Sequence, residues 1–320
     1  MVNPQLEKSS LLHYRPWRGE LSGSWRPTWA IARTALGLLS RRKLFWGLYG
    51  LSVMIFLFFF YGQYLQVFLE QRVTEENIRS GGLFPKNIKP ETILHQLQNA
   101  LQLNGSADTY ANFIWFEGYI VMVILALIGS AAIGNDFHHG SLPFYLSKPI
   151  GPFHYIFGKC LAVGIFINLI TTIPAVLLFI EYGFIDTWSY YWDNLRLFLG
   201  IIFYGSLITI TLSLLLIATA SWVKRTMPMV MIWTVMMVLG RMIQRWLVDG
   251  LHLRKEWRLI DIWNDLYLAG HWALGTPHEA LRPPWQMQPS YHAALLVIGI
   301  CIVTCIFYLR KKIQAVEIVA

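Results

Sequence analysis

Charge is scarce in this chain. Only 14% of its 320 residues are Asp, Glu, Lys or Arg, and 55% are hydrophobic, whereas a soluble globular domain carries about 25% charged residues. Length alone would allow two soluble domains; this composition excludes them. Cysteine is scarcer still. Cys160, Cys301 and Cys305 all lie in apolar runs, with neither metal-ligand spacing nor a disulfide framework. They are expected to pack as small apolar residues. The histidines contain no H-x-x-x-H and no H-E-x-x-H pattern. His138 and His139 are adjacent, so on a helix they point about 100° apart and rarely chelate together. No metal and no directly bound cofactor is expected. The chain also lacks a G-x-x-x-x-G-K-[ST] phosphate loop, so any ATP chemistry belongs to another chain.

What is present is apolar sequence in long runs. Residues 44–62 carry no charge, and uncharged sequence continues to position 69. That length crosses a hydrocarbon core of about 30 Å as a helix. Five more candidates follow, at 113–134, 155–180, 197–220, 228–247 and 292–309. The expected fold class is an all-α polytopic membrane protein with six transmembrane helices. The first forty residues are polar and rich in Trp and Arg; without an early apolar core, they leave the first span as an anchor.

Basic residues set the expected orientation. With both termini inside, the inner segments hold fifteen Lys and Arg against four acids, and the outer side, with Arg241 and Arg245 of the fifth span counted to it, eleven against thirteen. An excess of Lys and Arg in short inner segments reads as N-in and C-in, the net charge of +8 being drawn to anionic lipid at the cytoplasmic face. No nucleic-acid-binding motif accompanies it. The domain plan is a cytoplasmic region at 1–43, a six-span domain at 44–309 and a tail at 310–320. Outer loops are expected at about 63–112, 181–196 and 248–291.

Within 1–43, the stretch "TWAIARTALGLLSRRK" places Trp29, Ala32, Leu36 and Leu39 at helical spacing. Ile31, Ala35 and Leu38 widen the stripe, and Arg33, Arg41, Arg42 and Lys43 form a cationic side. This reads as an amphipathic helix in the inner interface, with a plain extension of the first span as the alternative. In the first outer loop, "PETILHQLQNALQLNG" reads as a helix with Pro90 at its start and Gly105 as its stop. The last outer loop is expected to lay short helices on the membrane, with Trp257, Trp263, Trp272 and Trp285 as interfacial anchors. Pro174 is expected to bend the third span, with Thr171 and Thr172 satisfying freed carbonyls.

Three ionisable residues fall within spans: Glu117, Arg241 and Arg245. Such groups are functional candidates. Arg241 lies thirteen residues beyond Pro228, roughly 20 Å along a helix, which is the outer half of the span. Glu117 has a similar depth. Two readings stand: Glu117 pairs with Arg241 or Arg245 near the outer mouth of a pathway, or all three snorkel to the outer interface.

The most structured polar interruption is "NDFHHGSLPFYLSKPIGPFHYIFGK", residues 135–159. Ser141 is a good N-cap and Pro143 fits a first helical turn. Leu142, Tyr145 and Leu146 share a face, and Pro149 ends the element. One short helix with an exposed apolar face is expected at the cytoplasmic surface, a form suited to binding a partner. The pattern resembles the cytoplasmic loop of ABC-2-type permeases, the membrane subunits of a class of ATP-binding-cassette exporters. That loop reads roughly acidic-x-x-x-Gly-Thr-Leu-x-x-x-Leu-Ser-x-Pro-Ile, followed by Gly-Lys. Asp136, Gly140, Ser141, Leu142, Leu146, Ser147, Pro149, Ile150, Gly158 and Lys159 fall in register. Ser141 stands for the usual Thr, Pro143 is unusual, and Gly151-Pro152 replaces a common Ser-Arg-like pair.

The resemblance implies a plasma-membrane subunit (inner membrane in a bacterium) that pairs with a second copy or a paralogue. It implies separate ATPase subunits beneath, which supply ATP and Mg, and a coupling helix in which Gly140, Ser141, Leu142, Tyr145, Leu146 and Pro149 touch the ATPase. A membrane scaffold that passes on force rather than solute shares these motifs. A polytopic membrane enzyme would need clustered reactive side chains, and none stands out.

Overall fold

The computed structural model of the chain describes residues 25–79, 102–127, 136, 151–223, 225–278, 281 and 288–313, the side chains of 69–79 and 226 excepted. All regular structure among the described residues is helical. The elements are α1 (Trp25–Ser40), α2 (Lys43–Arg79), α3 (Ala107–Ile124), α4 (Pro152–Ile170), α5 (Thr172–Ile185), α6 (Ser189–Asp193), α7 (Leu195–Trp222), α8 (Thr226–Thr234), α9 (Gly240–Arg245), α10 (Ile262–Leu274) and α11 (Tyr291–Lys312). Wide π turns at Val235–Leu239 and Trp246–Gly250 flank α9, and a 3-10 turn covers Lys255–Ile260.

Among the described residues, six stretches are long and apolar enough to cross a membrane: Lys43–Phe68, Ala107–Leu127, Pro152–Ile185, Leu195–Trp222, Met227–Gly250 and Tyr291–Lys312. Each coincides with an apolar run of the sequence. The core is built from α3, α4, α5, α7 and α10, and the outward faces of α2, α8 and α11 carry exposed apolar side chains such as Met54, Phe58, Met231 and Phe307. In water such faces would be costly; in lipid they are ordinary.

Several boundaries differ from those read in the sequence. α2 runs on to Arg79, past position 63, because no proline interrupts the stretch and a helix continues readily through polar residues. The helix expected at 90–105 falls mostly outside the described residues, although Gly105 has φ +63, the left-handed backbone that ends helices. The third span is broken as Pro174 demands. Proline has no N–H for the carbonyl of Ile170, and α4 ends there. The Thr171 hydroxyl donates to the Ile167 carbonyl at 2.9 Å. α7 crosses at this break: a Cβ on Gly205 would lie 1.9 Å from Thr172 Oγ1.

α1 packs on α4 through Ile31, Ala32, Ala35 and Leu39, all buried, with Trp29 exposed. A small Ala32–Ala35–Ala162 contact lets the two helices approach closely. Much of the stripe read as lipid-facing is therefore covered by protein.

The last connecting segment holds the largest difference. Trp257 and Trp272 are partly exposed, as an interfacial role requires, and Trp285 lies outside the described residues. Trp263 is fully buried. α10 is buried on most of its surface at one end of the bundle, the polar Asn264, Asp265 and His271 included along with Trp263, Leu266, Leu268, Ala269 and Leu274. Small residues make room for it. A Cβ on Gly118 would meet the Trp263 ring at 2.0 Å, and one on Gly200 would meet the Ala273 carbonyl oxygen at 2.6 Å.

Candidate functional site

The loop that carries the family resemblance is framed by two charges, and the structure brings them together. Lys159 Nζ lies 2.6 Å from Asp136 Oδ2, with side chains 4% and 14% exposed. The Tyr155 hydroxyl donates to the same oxygen at 3.0 Å. Tyr155 and Lys159 are one helical turn apart on α4 and so share a face. The ammonium also lies 5.8 Å from the Tyr155 ring centroid. Asp136 is thereby held against α4, about 12 Å along the helix from Gly151, where the described chain resumes after the segment 137–150. That segment lies outside the described residues, and with it Gly140, Ser141, Leu142, Tyr145, Leu146 and Pro149.

The Gly-Lys pair at the end of the motif has two separate local reasons. Lys159 answers Asp136. Gly158 faces the other way, toward α1, where an added Cβ would lie 2.9 Å from the Thr28 carbonyl oxygen and 3.2 Å from the Ile31 Cβ. α4 itself begins with Gly151 as cap and Pro152 in its first turn, the start that its sequence encodes.

The intramembrane charges arrange differently from the pairing expected. Glu117 is fully buried, and neither carboxylate oxygen has a hydrogen-bond partner among the described residues; Ser52 of α2 is a polar side chain beside it. Arg241 pairs instead with Asp261, Nε to Oδ2 at 3.5 Å, and donates to the Tyr119 hydroxyl. Its guanidinium carbon lies 4.9 Å from the Trp115 ring centroid and 5.1 Å from that of Tyr119, a cation–π arrangement. The cause is helical phase. Trp115 and Tyr119 are four residues apart and share a face of α3, while Glu117 lies about 200° around the helix from each. A cation on that aromatic face cannot also reach Glu117. Arg245 is exposed and makes no ion pair among the described residues.

Asp261 was not singled out by the sequence, yet it organises this end of the bundle. Its Oδ1 accepts the Trp263 N–H at 3.1 Å, capping α10, while Oδ2 takes Arg241. Burial lifts the Asp261 carboxyl above its ordinary range, partly offset by Arg241 and by backbone N–H donors. One turn on, Asp265 is fully buried and both its oxygens lack partners among the described residues. Burial, and then the Asp261 charge, push it up to about 8. His271 is also buried, and burial lowers it to about 4; its Nδ1 lies 3.2 Å from the Thr276 hydroxyl and 3.9 Å from Asp108 Oδ1. Arg258, 1% exposed, donates to Asp249 at 2.6 Å. The available signal for this cluster was an "IDIWNDLYLAG" segment whose acids sit among aromatics rather than among charges.

Among the described residues no three His, Cys, Asp or Glu side chains converge as metal ligands do. The arrangement offers two anchored ends: an ion pair closing the loop at one, and a buried acidic and aromatic cluster fixing α10 at the other. No protein-family model matches the chain, and no curated protein matches it in sequence.

Proposed function

We propose that the chain is the permease subunit of an ATP-binding-cassette exporter of the ABC-2 type, with both termini on the cytoplasmic side. It works as a dimer with a second copy or a paralogue, and separate ATPase subunits bind beneath it and hydrolyse ATP with Mg. The chain itself performs no covalent chemistry. The observation that carries the reading is the 136–159 motif, in register with the family loop and set between the second and third of six apolar stretches. The Asp136–Lys159 contact supports it, because a loop that receives force needs fixed ends. In this reading Gly140, Ser141, Leu142, Tyr145, Leu146 and Pro149 meet the ATPase, and the ion pair passes their displacement to α4.

The test is mild-detergent purification of the tagged chain with identification of co-purifying proteins. A stoichiometric partner carrying a phosphate loop, lost when Tyr145 and Leu146 are both replaced by Asp, is the expected result. A stable particle of this chain alone across several mild detergents would overturn the reading.

A further inference from the structure

A groove of about 810 Å³ opens between the first turns of α4, the later turns of α7 and the last turns of α11. Its walls are apolar, formed chiefly by Ile156, Phe157, Ile210, Leu214, Ile306 and Leu309. Among the described residues, one charged side chain lines it, Arg310. The size falls within the roughly 300–1,000 Å³ usual for small-molecule sites.

Three features state what fits. The first is length. On α4 the wall runs from Pro152 to Cys160, about 12 Å along a helix, close to the roughly 15 Å of one leaflet's hydrocarbon. The second is depth. At the mouth, Phe153 and Phe157 stack with centroids 6.0 Å apart, and Trp25 meets Phe157 edge-on at 5.6 Å. Trp25 and Phe153 are 63% and 66% exposed, as aromatic side chains at the headgroup level are. The third is charge. Arg310, Lys311 and Lys312 close α11 at this mouth, and none of the three makes an ion pair among the described residues. An apolar trough one leaflet deep, ending in free cations at headgroup level, is complementary to an acyl chain below an anionic headgroup.

We propose that this groove binds one anionic glycerophospholipid. An acyl chain lies along α4, α7 and α11, and the headgroup phosphate pairs with Arg310. The inference rests on the apolar helices being in a bilayer and is independent of any ATPase partner.

The test is native mass spectrometry of the full-length chain from mild detergent, with dioleoyl phosphatidylglycerol or dioleoyl phosphatidylcholine added at equal concentration. One phosphatidylglycerol adduct per chain is expected, about fivefold above phosphatidylcholine. Arg310→Gln, at an exposed position, should bring the ratio near one with the thermal unfolding midpoint unchanged. Ile306→Trp, which narrows the groove from its exposed side, should reduce both adducts. Equal adducts, no adduct, or a preference that survives Arg310→Gln would overturn the proposal. So would an adduct that forms only after deletion of residues 314–320, which would make the tail the occupant. An adduct carried by monomers but not dimers would assign the groove to a second copy.

Discussion

Asp265 sits where a charge is poorly accommodated. It is a carboxyl in a fully buried site with both oxygens unpartnered among the described residues, and it holds its proton to about pH 8 against an ordinary value of 3.8. Between those values the folded chain binds more protons than the unfolded chain. Its contribution to stability is therefore complete below about pH 4 and is lost as pH rises through 8. His271 has the opposite sign. Its ring stays neutral down to about 4 rather than 6.5, so its contribution is present above 6.5 and is lost as pH falls through 4. Of these two, only Asp265 acts between pH 6.5 and 8, where it adds a slope of roughly 1 kcal/mol per pH unit. Thermal midpoints in detergent should fall across that window, and Asp265→Asn should flatten the fall; parallel profiles for the two proteins would sink the assignment. Residue roles of this kind were only partly legible. Glu117 and Arg241 stood out because charges in apolar runs are rare. Which of them meet depends on helical phase between segments far apart in sequence. The sequence reading matched Glu117 and Arg241 by depth alone, whereas Trp115 and Tyr119 decide the matter by occupying the facing side of α3.

At the scale of elements, the Asp136–Lys159 contact joins Asp136, which lies between α3 and α4, to the third turn of α4. Removing one partner of a buried ion pair costs about 3–5 kcal/mol, because the other is left uncompensated, while replacing both with neutral groups is far milder. Asp136→Asn should therefore lower the thermal midpoint sharply, since Lys159 is only 4% exposed. Adding Lys159→Met should recover most of the loss. Additive losses in the double variant would show that the two side chains do not act as a unit. Elements themselves were largely legible. α1 followed from a 3.6-residue stripe, and the break after Ile170 followed from Pro174. α10 was misplaced because its Trp, Asp and His residues read as a segment at the membrane interface, whereas Trp263, Asp265 and His271 are all buried. Its depth is set by Gly118 and Gly200, which lie on α3 and α7 rather than on α10.

For the whole molecule, the number and positions of the six apolar stretches were legible from hydropathy, because lipid makes length and apolarity sufficient conditions. Their packing order was not, because it depends on glycines whose partners sit elsewhere in the chain. Gly205 is the sharpest case. Gly205→Val would drive a side chain into Thr172 at the joint between α4 and α5, and overpacking of this kind costs about 1–3 kcal/mol. The expected outcome is a lower thermal midpoint, partly restored by Thr172→Ala. An unchanged midpoint would mean that α7 and the joint separate freely. The same crossing also restricts how the protein can move. A kink left to itself is a free hinge, but this one has another helix seated in its notch. α5 cannot swing about Thr171 without either carrying α7 along or climbing over it. In the proposed reading, where force arrives at the foot of α4, the expected output is a paired displacement of α5 and α7 rather than a swing of α5 alone.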